Sequence, residues 1–227
     1  MFSLNIEVKE KRKITPDVIL LSFNVLEDFT FKAGQFVSLV METEEVKRPR
    51  SYSILNPPSQ KGQLDLCIKI VEKGFASEIF AETKVGDVFL MRGPLGHFVF
   101  QEDDSEEIWF IASGTGVAPF YSMLKEYLPK LPKKKFVLLF SNKKQEDILF
   151  YEELQKMEND YHNFKCINTL TREDWAGVQG RVQQHLPKNL ENKTFYICGV
   201  KPLVEGTMEE LLKRGVDKKK IKVERYS

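Results

Sequence analysis

Cysteine is scarce in this chain. Its 227 residues hold three, Cys67, Cys166 and Cys198, widely spaced and with no CxxC pair. So few thiols, in an odd and scattered set, argue against a disulfide framework and are too few for a structural zinc or an iron–sulfur cluster. Histidine is as rare: His97, His162 and His185 form no constellation, and no metal site is expected. No stretch reaches the roughly 18 uninterrupted apolar residues that a spanning helix requires. The opening MFSLNIEVKEKRK carries charges where a signal peptide needs an apolar run. A cytoplasmic protein without a membrane span is the expectation. Net charge is also small, with 34 Lys and Arg against 33 Asp and Glu leaving +1. No global basic field therefore draws the chain to nucleic acid. Repeats and low-complexity segments are absent.

What is present is core material. Hydrophobic residues make up 42%, among them 17 Phe, 7 Tyr and 2 Trp, enough to fill a sizeable core or two smaller ones. The first hundred residues read as short β-branched and aromatic runs, Val18–Val25, Gln35–Val40, Leu64–Val71 and Asp87–Met91. Turn residues such as Ala33-Gly34, Asn56-Pro57-Pro58, Lys61-Gly62 and Gly86-Asp87 separate them. About six strands in that length predict a small antiparallel barrel or sandwich, with one short helix near Ala76–Glu82.

After the polar, acidic stretch Gln101–Ser105, fit for a linker, the pattern changes. Apolar runs Ile108–Ala112, Phe136–Phe140, Phe164–Leu170 and Thr194–Cys198 alternate with helical patterns. The helices carry Phe120, Met123, Leu124 and Tyr127; then Ile148, Tyr151, Leu154 and Met157; then Leu203, Thr207, Met208, Leu211 and Leu212, stopping at Gly215. Strand–helix alternation predicts a parallel sheet with helices on both faces. The expectation is two domains, a β-barrel over residues 1–103 and an α/β domain over 104–227.

Four motifs carry chemistry. Gly114-Thr115-Gly116-Val117-Ala118-Pro119 stands where the first strand of the α/β unit meets its first helix, a place where glycines and helix amides can cradle a phosphate. Alone it also reads as a plain tight turn. It is GxGxxP rather than GxGxxG, and the next strand ends Phe140-Ser141-Asn142, with no acid for an adenosine ribose. Arg50-Ser51-Tyr52-Ser53 places a guanidinium and an aromatic ring on one strand face, suited to a phosphate and a planar heterocycle, or simply to solvent. Ser53 falls on the opposite face unless the strand bends or ends there. Gly74-Phe75-Ala76-Ser77 is a second glycine turn opening a helix. Gly93-Pro94-Leu95-Gly96 marks a tight turn.

RxYS at Arg50–Ser53, GxxS at Gly74–Ser77, GPxGxF at Gly93–Phe98 and GTGVAPF at Gly114–Phe120 occur in the order and rough spacing of the ferredoxin–NADP(+) reductase superfamily. Cys198-Gly199 and the closing Glu224-Arg225-Tyr226 add to the likeness, so the chain resembles that family over nearly its whole length. The resemblance implies an FAD-binding β-barrel followed by an NAD(P)-binding α/β domain. It places Arg50 on the FAD pyrophosphate, Tyr52 against the isoalloxazine and Ser53 toward flavin N5, with Ser51 in the same motif. Gly74, Phe75, Ala76 and Ser77 would hold the FAD phosphates, Gly114, Thr115 and Gly116 the nicotinamide cofactor's pyrophosphate, and Cys198 and Gly199 the nicotinamide ring. Ser53, Cys198 and Glu224 form the implied catalytic cluster. Tyr226 is the implied stacking aromatic, although it is penultimate here rather than terminal.

The implied activity is hydride transfer between NAD(P)H and flavin N5, with electrons passed singly to a separate carrier such as ferredoxin or flavodoxin. The alternatives are a reductase of free flavin or small acceptors, and an electron-transfer subunit of a larger complex. A monomer is expected. Thr171-Arg172 stands where NADP-preferring members often carry a Ser-Arg pair for the 2′-phosphate, which favours NADPH over NADH, with Arg181 as a second candidate. Read alone, Arg172 fits a solvated loop equally well. No CxxxxCxxC motif is present and the length leaves no room for a further redox module, so the electrons are expected to leave to another molecule. Lys133-Lys134-Lys135, Lys143-Lys144 and Lys218-Lys219-Lys220 are candidates for steering an acidic carrier, or plain solvated surface.

Overall fold

The computed structural model describes residues 2–43 and 46–226. The chain forms two compact units. One runs to Phe100 and includes Ala118–Glu126; the other comprises Gln101–Val117 and the chain from Tyr127 onward.

The first unit is a six-stranded antiparallel sheet. Its strands are β1 (Phe2–Thr15), β2 (Val18–Asn24), β3 (Phe36–Glu42), β4 (Lys47–Ser53), β5 (Gln63–Lys69) and β6 (Val88–Leu95), in the order β4-β3-β6-β1-β2-β5. This is the expected six-stranded antiparallel unit, its ladder running from β4 to β5 without continuous closure among the described residues. Its two edge strands approach through one bridge, Ile54↔Leu66, reinforced by the Leu55 N–H donating to Asp65 O at 2.9 Å. The core alternates inward along each strand: Ile6, Val8, Leu21, Phe23, Val37, Leu39, Met41, Leu64, Leu66 and Met91 are buried. β1 is central. Its first half pairs with β6 and its second with β2.

Helix α1 (Phe75–Glu82) buries Phe80 completely against this core. At its C-terminal end the Lys11 ammonium, reaching from β1, donates to Ala81 O at 2.8 Å and Thr83 O at 2.9 Å. These are carbonyls that a helix end leaves unpaired, and a cation there complements the helix dipole. Helix α2 (Ala118–Tyr127) supplies Ala118–Glu126 to the same unit. The Ser122 hydroxyl donates to Asn56 O at 2.8 Å, and the Glu126 carboxylate accepts from Ser59 N at 3.1 Å.

The second unit is a parallel sheet of β7 (Glu107–Ser113), β8 (Lys135–Asn142), β9 (Phe164–Leu170), β10 (Val178–Gln179), β11 (Lys193–Val200) and β12 (Ile221–Tyr226). The order is β10-β9-β8-β7-β11-β12, so the connections reverse direction between β7 and β11. One face buries Trp109, Ile111, Leu139, Phe195 and Ile197 under Val204 and Leu211 of α4 (Lys201–Lys213). Gly215, at φ +87°, follows that helix, as the glycine stop signal predicts. Helix α3 (Tyr151–Asp160) begins later than the periodic pattern suggested, leaving Ile148 ahead of it.

The acidic stretch read as a linker is fastened down. The Asp103 carboxylate accepts from Thr194 Oγ1 at 2.6 Å, the Ser105 N–H at 3.0 Å and Lys220 Nζ at 3.0 Å. Lys134 Nζ donates to Asp103 O at 2.8 Å and Ser105 O at 2.7 Å. Burial works to raise the Asp103 pKa, but these bonds outweigh it and hold the carboxyl down at about 2. Two lysines read as carrier-steering charge, Lys134 and Lys220, thus bind the chain to itself. Lys133, Lys135, Lys143, Lys144, Lys218 and Lys219 are exposed.

Candidate active site

In the first unit the site is built on an edge strand and the head of a helix. Tyr52 and Arg50 oppose Val37 and Leu39 across the β3–β4 ladder and therefore share a sheet face with them. Both partners are core residues, yet β4 is an edge, so Arg50 emerges into solvent while Tyr52 stays half-buried. The Tyr52 ring meets Phe80 edge-on, with centroids 5.6 Å apart. Burial pushes its hydroxyl up to about 12, with Arg50 pulling the other way, so the phenol is neutral at physiological pH. Ser51 is exposed on the opposite face. Ser53 is buried and is the last residue of β4, so the strand ends where the three-residue motif needs it to.

The second half of that site is a turn. Gly74 packs so closely that an added Cβ would lie 3.0 Å from Val71 O and 3.0 Å from Ser77 Oγ. The Ser77 hydroxyl accepts the Val71 N–H at 2.9 Å, so its first task is to close this turn. The intrahelical ladder begins with Glu78 N donating to Gly74 O at 3.0 Å. The N–H groups of Phe75, Ala76 and Ser77 therefore head α1 outside that ladder, suited to an anion. With Arg50 unpaired by any carboxylate among the described residues, this donor set fits the pyrophosphate of a dinucleotide, and the flat neutral ring of Tyr52 fits its heterocycle.

In the second unit the site lies at the carboxyl ends of β7 and β11, the reversal point where open parallel sheets bind ligands. Gly114 to Val117 form a 3-10 turn ahead of α2 rather than an immediate α-helical start. Gly114 sits at φ +51°, and a Cβ built there meets nothing within 4 Å: the turn faces open space. Gly116 is the reverse case, since a Cβ would lie 2.5 Å from Cys198 O and 2.8 Å from Gly199 Cα. Gly199, at φ +150°, would in turn drive a Cβ to 2.4 Å from Ser113 Oγ. The glycine turn and the Cys198-Gly199 segment are packed backbone against backbone. Ser113 Oγ has no hydrogen-bond partner among the described residues, a buried polar atom left for a ligand or water at the strand end. The fit to a nucleotide's phosphates is close.

Cys198 is fully buried and lies opposite Glu224 in the β11–β12 ladder, its Sγ 4.0 Å from Glu224 Oε2. Burial, and then the Glu224 charge, raise the thiol's pKa well above its ordinary value, with a hydrogen bond from Tyr226 opposing them. The thiol is held protonated. Cys198 and Glu224, 26 residues apart, thus meet in this unit, while Ser53 belongs to the other.

Thr171 and Arg172 follow β9 and are tied back to β8: Thr171 N and Oγ1 donate to Asn142 O at 3.1 and 3.2 Å, and Arg172 N donates to Lys143 O at 3.0 Å. Arg172 lines a cleft of about 670 Å³ with Lys144, Gln145, Glu146 and Glu173. Lys144 was read only as surface charge. Asn142, whose buried amide has no partner on either polar atom among the described residues, drew notice only as a missing acid. Its signal was its place at the end of the second strand.

Residues 5–100 match the oxidoreductase FAD-binding domain family and residues 110–209 the oxidoreductase NAD-binding domain family. Ferredoxin–NADP reductase B of Sorangium cellulosum is 31% identical, over 95% of this chain and 94% of its own. NADH-cytochrome b5 reductase 1 of Kluyveromyces lactis is 32% identical, over 82% of this chain and 70% of its own. A ferredoxin NADP+ reductase structure from Neisseria gonorrhoeae, with bound FAD and NADP, superposes with a TM-score of 0.87 at 23% identity, covering 98% of both chains. The last comparison speaks for the fold. With the two domain matches and the relatives, the two sheets and their glycine turns place this chain in the ferredoxin–NADP(+) reductase superfamily, as an FAD-containing oxidoreductase that uses NAD(P)H.

Proposed function

We propose that the protein takes reducing equivalents from NADPH and delivers them one electron at a time to a separate small redox protein of the ferredoxin or flavodoxin type. The observation that carries the choice of NADPH is the pairing of Arg172 with Lys144 in one cleft beside the ends of β8 and β9. Arg172 there suits a 2′-phosphate, Lys144, ion-paired with Glu146 at 3.2 Å, joins it by exchanging that partner, and Asn142 stands where an acid would repel it. The relative matched over nearly the full length of both chains is named for ferredoxin and NADP.

FAD, when bound, supplies the means to accept a hydride and release single electrons. The chain's part is to hold and to insulate. Arg50 and the amides of Phe75, Ala76 and Ser77 bind the pyrophosphate of FAD, and Tyr52 offers its neutral ring to the isoalloxazine. Gly114, Thr115 and Gly116 bind the nucleotide phosphates through backbone N–H groups. Cys198 stays a neutral thiol, and Glu224 beside it is the group able to hold or pass a proton.

Glu146 and Glu173 share the cleft with the two cations, and relatives named for NADH are among the matches. These favour NADH as the second reading. The deciding measurement is anaerobic titration of the purified yellow protein with each nucleotide, followed by steady-state kinetics of Arg172→Ala. The NADPH/NADH ratio of kcat/KM is expected to fall at least tenfold; an unchanged ratio removes Arg172 from the site.

A further inference from the structure

Strand β4 carries two cations more than the flavin reading uses, and one of them, Lys47, is ion-paired with Glu42 at 2.8 Å. Arg48 precedes Arg50 by two residues and Tyr52 by four, and their partners Met41, Leu39 and Val37 on β3 are all core residues. Directly opposed residues share a sheet face, so Arg48, Arg50 and Tyr52 form one row. Alternate residues on a strand are spaced by about 7 Å, which sets the three in a line roughly 14 Å long. FAD is also a line, with its ring system at one end, the pyrophosphate between and adenosine at the other.

Arg48 is exposed, and its guanidinium is nonetheless placed. Its Cζ lies 5.8 Å from the centroid of the Phe75 ring. Phe75 is the first residue of α1, so this contact joins the basic end of β4 to the helix head that offers unpaired amides. At that distance the guanidinium is within cation–π range of the ring, a contact that restricts its rotamers while leaving its N–H fork for a phosphate.

We propose that Arg48 is a further cofactor-binding residue that grips the adenosine-diphosphate end of FAD and makes the site select FAD over FMN. The inference rests on the reading that Tyr52 and Arg50 hold the isoalloxazine and the pyrophosphate. FMN ends at a single phosphate, level with Arg50, and does not extend to Arg48. A merely structural Arg48, steadying α1 through Phe75, would serve both flavins alike.

The test uses apoprotein prepared from the flavin-loaded enzyme, titrated with FAD and with FMN by flavin fluorescence and challenged with ADP as a competitor of FAD. Arg48→Ala removes the side chain, and Arg48→Met keeps the stem on Phe75 without the fork. In both variants the FAD dissociation constant is expected to rise about tenfold, the FMN constant to stay within twofold, and ADP to lose its ability to compete. Where FMN binds too weakly to measure, the ADP competition decides. Unchanged FAD affinity, or equal losses for FAD and FMN, overturns the proposal. Failure of the unaltered protein to take up FAD overturns the underlying reading with it.

Discussion

The two sheets build their candidate phosphate sites in opposite ways. In the antiparallel unit the candidate site is made of side chains added to a scaffold: Arg50 and Tyr52 stand on an edge strand, and the ring of Phe80 fixes the tyrosine from below. In the parallel unit it is made by taking side chains away. Gly116 and Gly199 let the turn after β7 and the end of β11 approach to distances at which no Cβ fits. An edge strand has a free flank on which side chains can gather, whereas at the switch point between parallel strands the connections part and a ligand meets the backbone of the strand ends. The first site should therefore fail by truncation and the second by addition.

The largest effect is expected from Phe80→Ala. Removing a fully buried aromatic costs about 3–5 kcal/mol, and here it also frees the Tyr52 ring. Thermal unfolding of the holoenzyme should fall by many degrees with early release of FAD, while the nucleotide affinity of protein that remains folded is kept. Gly116→Val comes next. Overpacking costs about 1–3 kcal/mol, and the nucleotide turn must shift away from Cys198 O. NADP+ affinity is expected to drop at least tenfold by calorimetry with FAD still bound; normal affinity would end the contrast between the two sites. Asp103→Asn is the mildest. The carboxylate's folded pKa of about 2 lies below its ordinary 3.8, so its contribution is complete above about pH 4 and lost as pH falls toward 2. The variant should lose about 1 kcal/mol or less at pH 7, since the group is partly solvated. Its stability should fall less steeply than the parent's between pH 4 and 2, as followed by urea unfolding.

Strands with one dominant signal were legible in the sequence. Phe164–Leu170 is recovered to the residue, and Ile108–Ala112 and Thr194–Cys198 need only a residue or two at their ends, the latter two because parallel strands covered on both faces are nearly continuous apolar runs. β1 and β12 were not. β1 alternates Leu4, Ile6 and Val8 with charged and polar residues, then turns to Lys-Glu-Lys-Arg-Lys over water, so a central strand reads as surface. β12, with Lys222, Glu224 and Arg225, is an edge strand whose charges hide its pairing with β11. The glycine turns and the RxYS strand were legible because each demands particular residue types. The meeting of Cys198 with Glu224 follows from strand register, which local sequence does not encode. Asn142 and Arg48 escaped because an amide and an arginine are ordinary on a surface; burial in one case and a cation–π contact in the other set them apart.

The clasp on the stretch from Gln101 to Ser105 has a consequence for how the molecule is made. Asp103 is secured by Thr194 and by Lys220, the latter 117 residues downstream. At about 5–20 residues per second, a ribosome adds that interval in roughly 6–23 s. Within that time Lys134, 31 residues downstream of Asp103, can already hold the Asp103 and Ser105 carbonyls, so the partners of the carboxylate itself are the last of the clasp to arrive. β7 waits similarly for β11, whose pairing with it begins at Lys193↔Glu107. The nascent chain thus carries a first unit still awaiting α2, on a tether first tied at Lys134, and Thr194 and Lys220 fasten the Asp103 carboxylate only once β11 has joined the second sheet.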